Sequence, residues 1–394
     1  MSSVSIAEDV YWVGVNDPGL RLFDIIMPTE FGTTYNSYLI KGEKTALIDT
    51  VKKEFTDEFF ANLAQVAAIE SIDYLIVNHT EPDHAGAIAE LLQRNPRVKI
   101  YCSGAAVPFV KATVNRTIQI EVVKDDQVLN LGGRKLLFKL MPYMHWPDTM
   151  MEYLPEDKIL FSCDGFASHL AGESLHSDEL THNLGHEFHY YYDCIMRPFA
   201  GHIRRNLPKL DSLDIAMIAA SHGPILRSNP RKWIDLYKEW TADRTAGAAR
   251  VTVFYASNYG NTKEMADLLG DELTAQSFQV SLIDMVEIEE KLARDLIESS
   301  SAVVIGTPTF NGDAPKPVWD LVGLFATVYN VGKKAAVFGS YGWGGEGPKL
   351  VQDRLAGLKL RVYPEPYRAR LIPSDEEMAN LRGYANELAR FFHG

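Results

Sequence analysis

A chain of 394 residues is longer than one hydrophobic core ordinarily organises, which sets an expectation of two domains. Apolar residues at 46% and charged residues at 23% exclude a disordered or low-complexity chain. With 52 acidic against 39 basic side chains, the net charge of −13 repels a phosphate backbone and argues against nucleic acid as a partner.

The opening stretch, MSSVSIAEDVYWVGV, carries acidic residues where a secretory signal needs a basic start and an apolar core. The longest apolar runs, such as 215–220, fall far short of the roughly 20 residues that cross a bilayer as helix. The expectation is a cytoplasmic protein with no membrane partner. Cys102, Cys163 and Cys194 form no C-x-x-C pair, so they read as buried free thiols, and no rubredoxin-type iron module lies within the chain.

The chain begins with short β-rich runs at 10–15, 34–40, 44–49 and 74–78, with a helical period over 54–67 between them. Further strand-like runs follow at 98–102, 135–141, 158–162 and 215–219. After Trp240 the polar stretch TADRTAGAAR interrupts the periodicity, which places a domain boundary between 248 and 249. Strand and helix then alternate: VTVFYAS, a helix from Thr262, VSLIDM, a helix over 288–299, AVVIGT, a helix near Val318 and AAVFGS. Such alternation predicts a doubly wound parallel sheet.

The run DYLIVN ends in His79, Thr80, Glu81, Pro82, Asp83 and His84, followed by a helical period. Pro82 disfavours helix at Glu81, so an extended turn presents ligands that diverge toward two neighbouring points. Three more strand-like runs end before His145, Asp164 and His222. Taken singly, a His or Asp at a strand end is more often a turn or capping residue than a ligand. The H-x-E-x-D-H cluster changes that balance, because so many ionisable groups beside a buried strand are costly without a cation. Four imidazoles and three carboxylates suffice for two metals. Glu81 tilts the choice from zinc toward iron, and two divalent ions against three carboxylates leave a charge near +1, which suits a redox-active pair.

In the second half, Ser257, Asn258, Tyr259, Gly260, Asn261 and Thr262 join a strand to a helix N-terminus, a cradle for a dianion. The stretch is neither a Walker A sequence nor a G-x-G-x-x-G fingerprint, so a monophosphate fits better than a triphosphate. Two later strand-end loops supply Thr307, Pro308, Thr309, Phe310, Asn311 and Gly312, then Ser340, Tyr341, Gly342, Trp343, Gly344 and Gly345. Glycines admit a planar ring and aromatics stack on it, so the three loops together point to flavin mononucleotide, FMN.

The motifs HTEPDHAG at 79–86, HWPDT at 145–149, Asp164, SHG at 221–223 and GSYGWGG at 339–345 resemble those of the flavodiiron proteins, also called A-type flavoproteins. The resemblance spans the chain and implies a metallo-β-lactamase-like αββα sandwich over 1–248, then a flavodoxin-like domain over 249–394. It implies that His79, Glu81 and His145 hold one iron and Asp83, His84 and His222 the other, with Asp164 bridging. Hydrolytic relatives usually have His where this chain has Glu81. The implied activity is reduction of dioxygen to water, nitric oxide to nitrous oxide, or both, with two ferrous ions and one reduced flavin storing four electrons. The resemblance further implies rubredoxin or a reduced deazaflavin as donor, and a head-to-tail homodimer, or a dimer of dimers, joining one chain's flavin to the other's irons. His169 and Tyr192 fall where the family places groups that donate protons or hydrogen bonds to bound oxygen. Many relatives have a His in the first loop, where this chain reads Arg21, Leu22, Phe23 and Asp24, so whether Asp24 replaces it stays open. His182, His186 and His189, at helical spacing, read as a lid or interface helix rather than a third metal site. Two other readings remain open on the residues alone: a zinc-dependent hydrolase with an accessory flavodoxin-like domain, and an electron carrier using only the flavin.

Overall fold

A computed structural model describes residues 2–172, 174–243 and 249–394. Contacts divide the chain into two units, Met1–Ala242 and Asp243–Gly394. The boundary expected between 248 and 249 abuts residues 244–248, which lie outside the described residues. The helix Pro230–Trp240 precedes them and the strand Arg250–Tyr255 follows. Among the described residues, no helix is long and apolar enough to cross a membrane.

The first unit is built on two sheets. One runs Val4–Ala7, Val10–Trp12, Tyr38–Ile40, Ala46–Ile48, Tyr74–Val77, Lys99–Cys102 and Ile120–Val122. The other runs Val128–Asn130, Lys135–Leu140, Met150–Leu154, Ile159–Cys163 and Met217–Ala220. Alternation along each strand decides what fills which layer. Tyr38, Ile48, Ile76, Phe138, Met150, Phe161 and Ala219 share the core between the sheets. Their strand neighbours Leu39, Leu47, Leu75, Met151, Leu160 and Ile218 face the other way, into a cluster with Phe59, Leu63, Leu91, Ile203 and Ile234 from the helices. Burial on both faces explains why these strands read as nearly continuous apolar runs.

Several expected runs are divided. The run at 10–15 splits into Val10–Trp12 and Val15–Asp17, and the run at 34–40 into Thr33–Tyr35 and Tyr38–Ile40. Val10–Trp12 pairs with Tyr38–Ile40 in the seven-stranded sheet, whereas Val15–Asp17 pairs with Thr33–Tyr35 in a separate two-stranded sheet. The helical period over 54–67 becomes a 3₁₀ turn, Lys53–Phe55, leading into Thr56–Ala64.

The second unit has the parallel order Gln279–Asp284, Arg250–Tyr255, Ala302–Gly306, Lys334–Tyr341 and Arg361–Val362, the doubly wound order of flavodoxin-like sheets. Helices Asn261–Ala275 and Asp375–His393 cover one face through Leu269, Leu273, Leu381 and Leu388. Glu290–Ser299, Lys316–Gly323 and Gly347–Gly357 cover the other through Ile297, Val318 and Leu355. Order reverses beside Arg250–Tyr255, and the crevice beyond those strand ends is where such sheets bind ligands.

Candidate metal and flavin sites

Each expected metal ligand leaves the carboxyl end of a strand of the first unit. His79 follows Tyr74–Val77, Asp164 follows Ile159–Cys163 and His222 follows Met217–Ala220. Glu81 is extended, with φ −58° and ψ 144°, and caps the short helix Pro82–Ala85. Asp83 and His84 therefore stand on a helical turn rather than on the extended segment expected for them. Gly223 turns the chain after His222 with φ +76°, and an added Cβ would lie 2.5 Å from the Ser168 carbonyl oxygen, so only glycine fits.

The seven side chains converge in two groups. In one, Glu81 Oε2 lies 3.0 Å from His79 Nε2 and 3.3 Å from His145 Nε2. In the other, Asp83 Oδ2 lies 3.2 Å from His222 Nε2 and its Oδ1 3.5 Å from His84 Nε2. Asp164 stands between them. Its Oδ2 is 3.1 Å from His145 Nε2 and 3.6 Å from His79 Nε2, while its Oδ1 is 3.1 Å from His84 Nε2 and 3.5 Å from His222 Nε2.

This donor set fits a pair of cations. His84 Nε2 and Asp164 Oδ1 are near neighbours, yet neither completes a hydrogen bond, and buried Asp83 Oδ1 is likewise without a partner. Atoms that approach without bonding to each other are aimed at a common point, as ligands of a shared ion are. The electrostatics agree. Burial pushes the Asp164 carboxyl up, but the His84, His145 and His79 imidazoles outweigh it and hold the group well below the usual range. Burial opposes charge on His145, yet Asp164 and Glu81 push its imidazole up to about 9.

Outer partners fix the rings. Asp148 Oδ1 lies 3.3 Å from His79 Nδ1, and its Oδ2 accepts from the Thr80 amide at 2.9 Å and the Thr80 hydroxyl at 2.6 Å. His222 Nδ1 donates to the Thr34 carbonyl at 2.6 Å. Both contacts leave Nε2 toward the site, as metal-ligating histidines require. Asp148 lay within the HWPDT motif, but its partner is 69 residues away and nothing local signalled the pairing.

Around this centre, His169 is buried, with Nδ1 2.8 Å from the Thr33 hydroxyl, Nε2 without a partner and its ring 5.4 Å from that of His222. Burial, then His222, hold its imidazole well below the usual range, so the ring is neutral. Tyr192 instead packs on Tyr237 and Trp240, at 5.2 and 4.9 Å between ring centres. Its neighbour Tyr191 faces His169 at 4.9 Å and His222 at 6.4 Å, so the tyrosine beside the site is Tyr191. Asp24 sits on the hairpin between Leu22–Phe23 and Met27–Pro28. Partial burial, then Glu81 and Asp83, raise its carboxyl to about 6.

The remaining histidines have separate partners. His182 precedes the helix Leu184–Tyr191 and packs on Phe31 at 4.5 Å; His186 pairs with Glu187, and His189 lies 3.5 Å from Asp193. Of the cysteines, Cys102 and Cys163 are buried but Cys194 is exposed, which corrects the expectation for the third.

In the second unit the three loops meet around a cleft of about 290 Å³, lined by Ser257, Asn258, Tyr259, Asn261, Thr262, Pro308, Thr309, Phe310, Asn311, Ser340, Tyr341, Gly342 and Trp343. Leu371 joins them, an apolar contact that sequence motifs missed. Gly260, Thr307, Gly312, Gly344 and Gly345 do not line it. Gly260, Gly312, Gly344 and Gly345 instead shape the loops at φ between +81° and +93°, and Thr307 is buried. The helix Asn261–Ala275 opens at the cleft, where its free amides and dipole suit a phosphate. Tyr259 and Trp343 are 87% and 71% exposed around the cleft, an arrangement that a planar ring between them explains.

An αββα sandwich with seven converging ligands, joined to a doubly wound sheet with a phosphate cradle and exposed aromatics, defines a metal- and flavin-dependent redox protein. Residues 33–223 match the family described as ODP family beta lactamase, and residues 253–379 match flavodoxin. The chain is 40% identical to type A flavoprotein fprA of Rhodobacter capsulatus, over 99% of this chain and 92% of that protein. It is 34% identical to a nitric oxide reductase of Moorella thermoacetica, over 92% of each. The structure resembles rubredoxin oxygen:oxidoreductase of Desulfovibrio gigas with a TM-score of 0.71 and 28% identity, covering 100% of this chain and 99% of that one. The chain belongs to the type A flavoprotein, or flavodiiron, family. It is an oxidoreductase whose cofactors are FMN and a non-haem di-iron centre.

Proposed function

We propose that this chain reduces dioxygen to water, nitric oxide to nitrous oxide, or both, at the convergence of His79, Glu81, Asp83, His84, His145, Asp164 and His222. The observation that carries the reading is Asp164, whose two oxygens face separate imidazole pairs, as a carboxylate bridging two cations does. When bound, the irons and FMN supply the four electrons that take dioxygen to water. The protein's part is to fix ligand orientation through Asp148 and the Thr34 carbonyl and to exclude bulk water. His169, whose ring stands 5.4 Å from that of His222 and whose Nε2 has no partner, accepts the Thr33 hydroxyl proton at Nδ1, carries its own proton on Nε2 and donates it as a hydrogen bond to the oxygen or nitrogen of the substrate. Tyr191 is the tyrosine for the role first expected of Tyr192.

The Asn261 helix terminus and the Ser257, Thr307 and Ser340 loops hold FMN, in a domain taken as 249–394 after a metal domain over 1–248. Electrons enter from an external donor, rubredoxin or a reduced deazaflavin. The active unit is a head-to-tail homodimer or a pair of such dimers. Three cysteines with no disulfide among them suit the cytoplasm. The test is anaerobic stopped-flow reoxidation by each gas of protein purified with about two irons and one flavin per chain. Rapid reoxidation yielding water or nitrous oxide supports the reading. Protein that takes up zinc, holds no iron and turns over an ester or lactam overturns it.

A further inference from the structure

Beneath the ligands, the core between the two sheets holds a polar group that oxygen or nitric oxide reduction does not use. Glu152 lies on Met150–Leu154, the middle strand of the five-stranded sheet, and is 0% exposed. Met150 and Leu154, which share its face, belong to the inter-sheet cluster with Trp12, Ile76, Phe138 and Phe161, so the carboxyl projects into an apolar layer. Neither of its oxygens completes a hydrogen bond, and it forms no ion pair among the described residues. An unpaired carboxylate in such a layer takes up a proton rather than stay charged. Burial raises its pKa well above the usual range and Asp49 adds to this, while the nearby Asn78 side chain opposes it.

Asn78 completes the connection to the ligands. Its Oδ1 is buried and also without a partner. Its backbone amide donates to Asp49 Oδ1 at 2.8 Å, and its backbone carbonyl accepts from the Met150 amide at 3.0 Å, two residues before Glu152. Asn78 immediately precedes His79, and Asp49 groups closely with His84. A column of polar side chains, Glu152, Asn78 and Asp49, thus runs from the core to both ligand groups. Asp49 itself turns the chain at φ +53°.

We propose that Glu152 remains a neutral acid and is a positioning residue for the metal centre, its O–H hydrogen-bonding the Asn78 side-chain oxygen and so fixing the strand end that carries His79. A neutral acid supplies this donor without adding another negative charge beside Glu81, Asp83 and Asp164. The inference rests on the di-iron reading. It is tested with Glu152→Gln, which keeps a neutral donor, and Glu152→Met, which removes it, measured metal-free and as iron-loaded holoenzyme.

Wild type is expected to show the infrared carbonyl band of a protonated carboxyl in both states, and both variants to lose it. Iron affinity, by chelator competition, is expected to fall by about tenfold or more in Glu152→Met and by less than about twofold in Glu152→Gln. The electron paramagnetic resonance spectrum of the half-reduced centre is expected to change in Glu152→Met and to be rescued in Glu152→Gln. A missing band, or Glu152→Gln losing as much iron as Glu152→Met, overturns the proposal. If Glu152→Met does not fold, the band and the Glu152→Gln affinity still decide. A chain that binds no iron yet shows the band fails the di-iron reading, and one that binds iron without the band fails this inference.

Discussion

Asp164 is the residue on which both proposed ligand groups depend, because each of its oxygens faces a different imidazole pair. Asp164→Asn keeps the shape but replaces one charged oxygen with an amide donor, which repels a cation and an imidazolium alike. Iron content is expected to fall from about two to below one per chain, with FMN retained, a loss readable by metal analysis and flavin absorbance. A second residue-scale prediction concerns Lys333, whose ammonium donates to the Ser300 carbonyl. Burial lowers its pKa from 10.5 to about 8. Below pH 8 both folded and unfolded chains carry the proton; between 8 and 10.5 the unfolded chain binds the proton that the folded one has released. Stability therefore rises with pH through that window, by at most about 3.5 kcal/mol at about 1.4 kcal/mol per unit. Lys333→Met lacks this rise, so urea unfolding of the two proteins at pH 7.5 and pH 10 should show wild type gaining on the variant.

At the scale of elements, strand ends were the most legible feature. The strands Tyr74–Val77, Ile159–Cys163 and Met217–Ala220 read as apolar runs because both faces are buried, and the residue type that follows each run marked a candidate ligand. What periodicity hides is phase. The helix Leu184–Tyr191 passes into a π-helical turn, Tyr192–Met196, and adjacent tyrosines point apart, so sequence did not distinguish Tyr191 from Tyr192. Partnerships across long separations were equally hidden: Asp148 with His79, and Thr34 with His222. The loop 79–84 combined both limits, since Pro82 kept Glu81 extended as expected but also began the helix that carries Asp83 and His84. One element states its own stability in sequence. The helix Asp375–His393 opens with a capping box in which Ser374 and Glu377 exchange side-chain and backbone bonds. Ser374→Ala is expected to destabilise the second unit by about 1 kcal/mol, as a shift in its thermal midpoint without change in iron content.

At the scale of the whole molecule, two units with separate cores carry the two cofactor sites, so electron flow reduces to whose flavin serves whose irons. The proposed head-to-tail dimer makes a quantitative claim. Asp164→Asn loses iron but keeps a working flavin site. Asn261→Asp places a carboxylate at the helix terminus that receives the phosphate, weakening FMN binding while leaving the ligands intact. Each variant alone is expected to be inactive. In a coexpressed mixture, half the dimers combine one chain of each kind, and in these one flavin of the first chain faces one intact iron pair of the second. Activity should therefore recover to about one quarter of wild type, since symmetry makes one of the two electron paths functional in each mixed dimer. Separately tagged chains and tandem purification isolate the mixed species, which should show about half of wild-type turnover per dimer. If electrons instead pass within a single chain, the mixture stays inactive at every ratio, because no chain then holds both working sites.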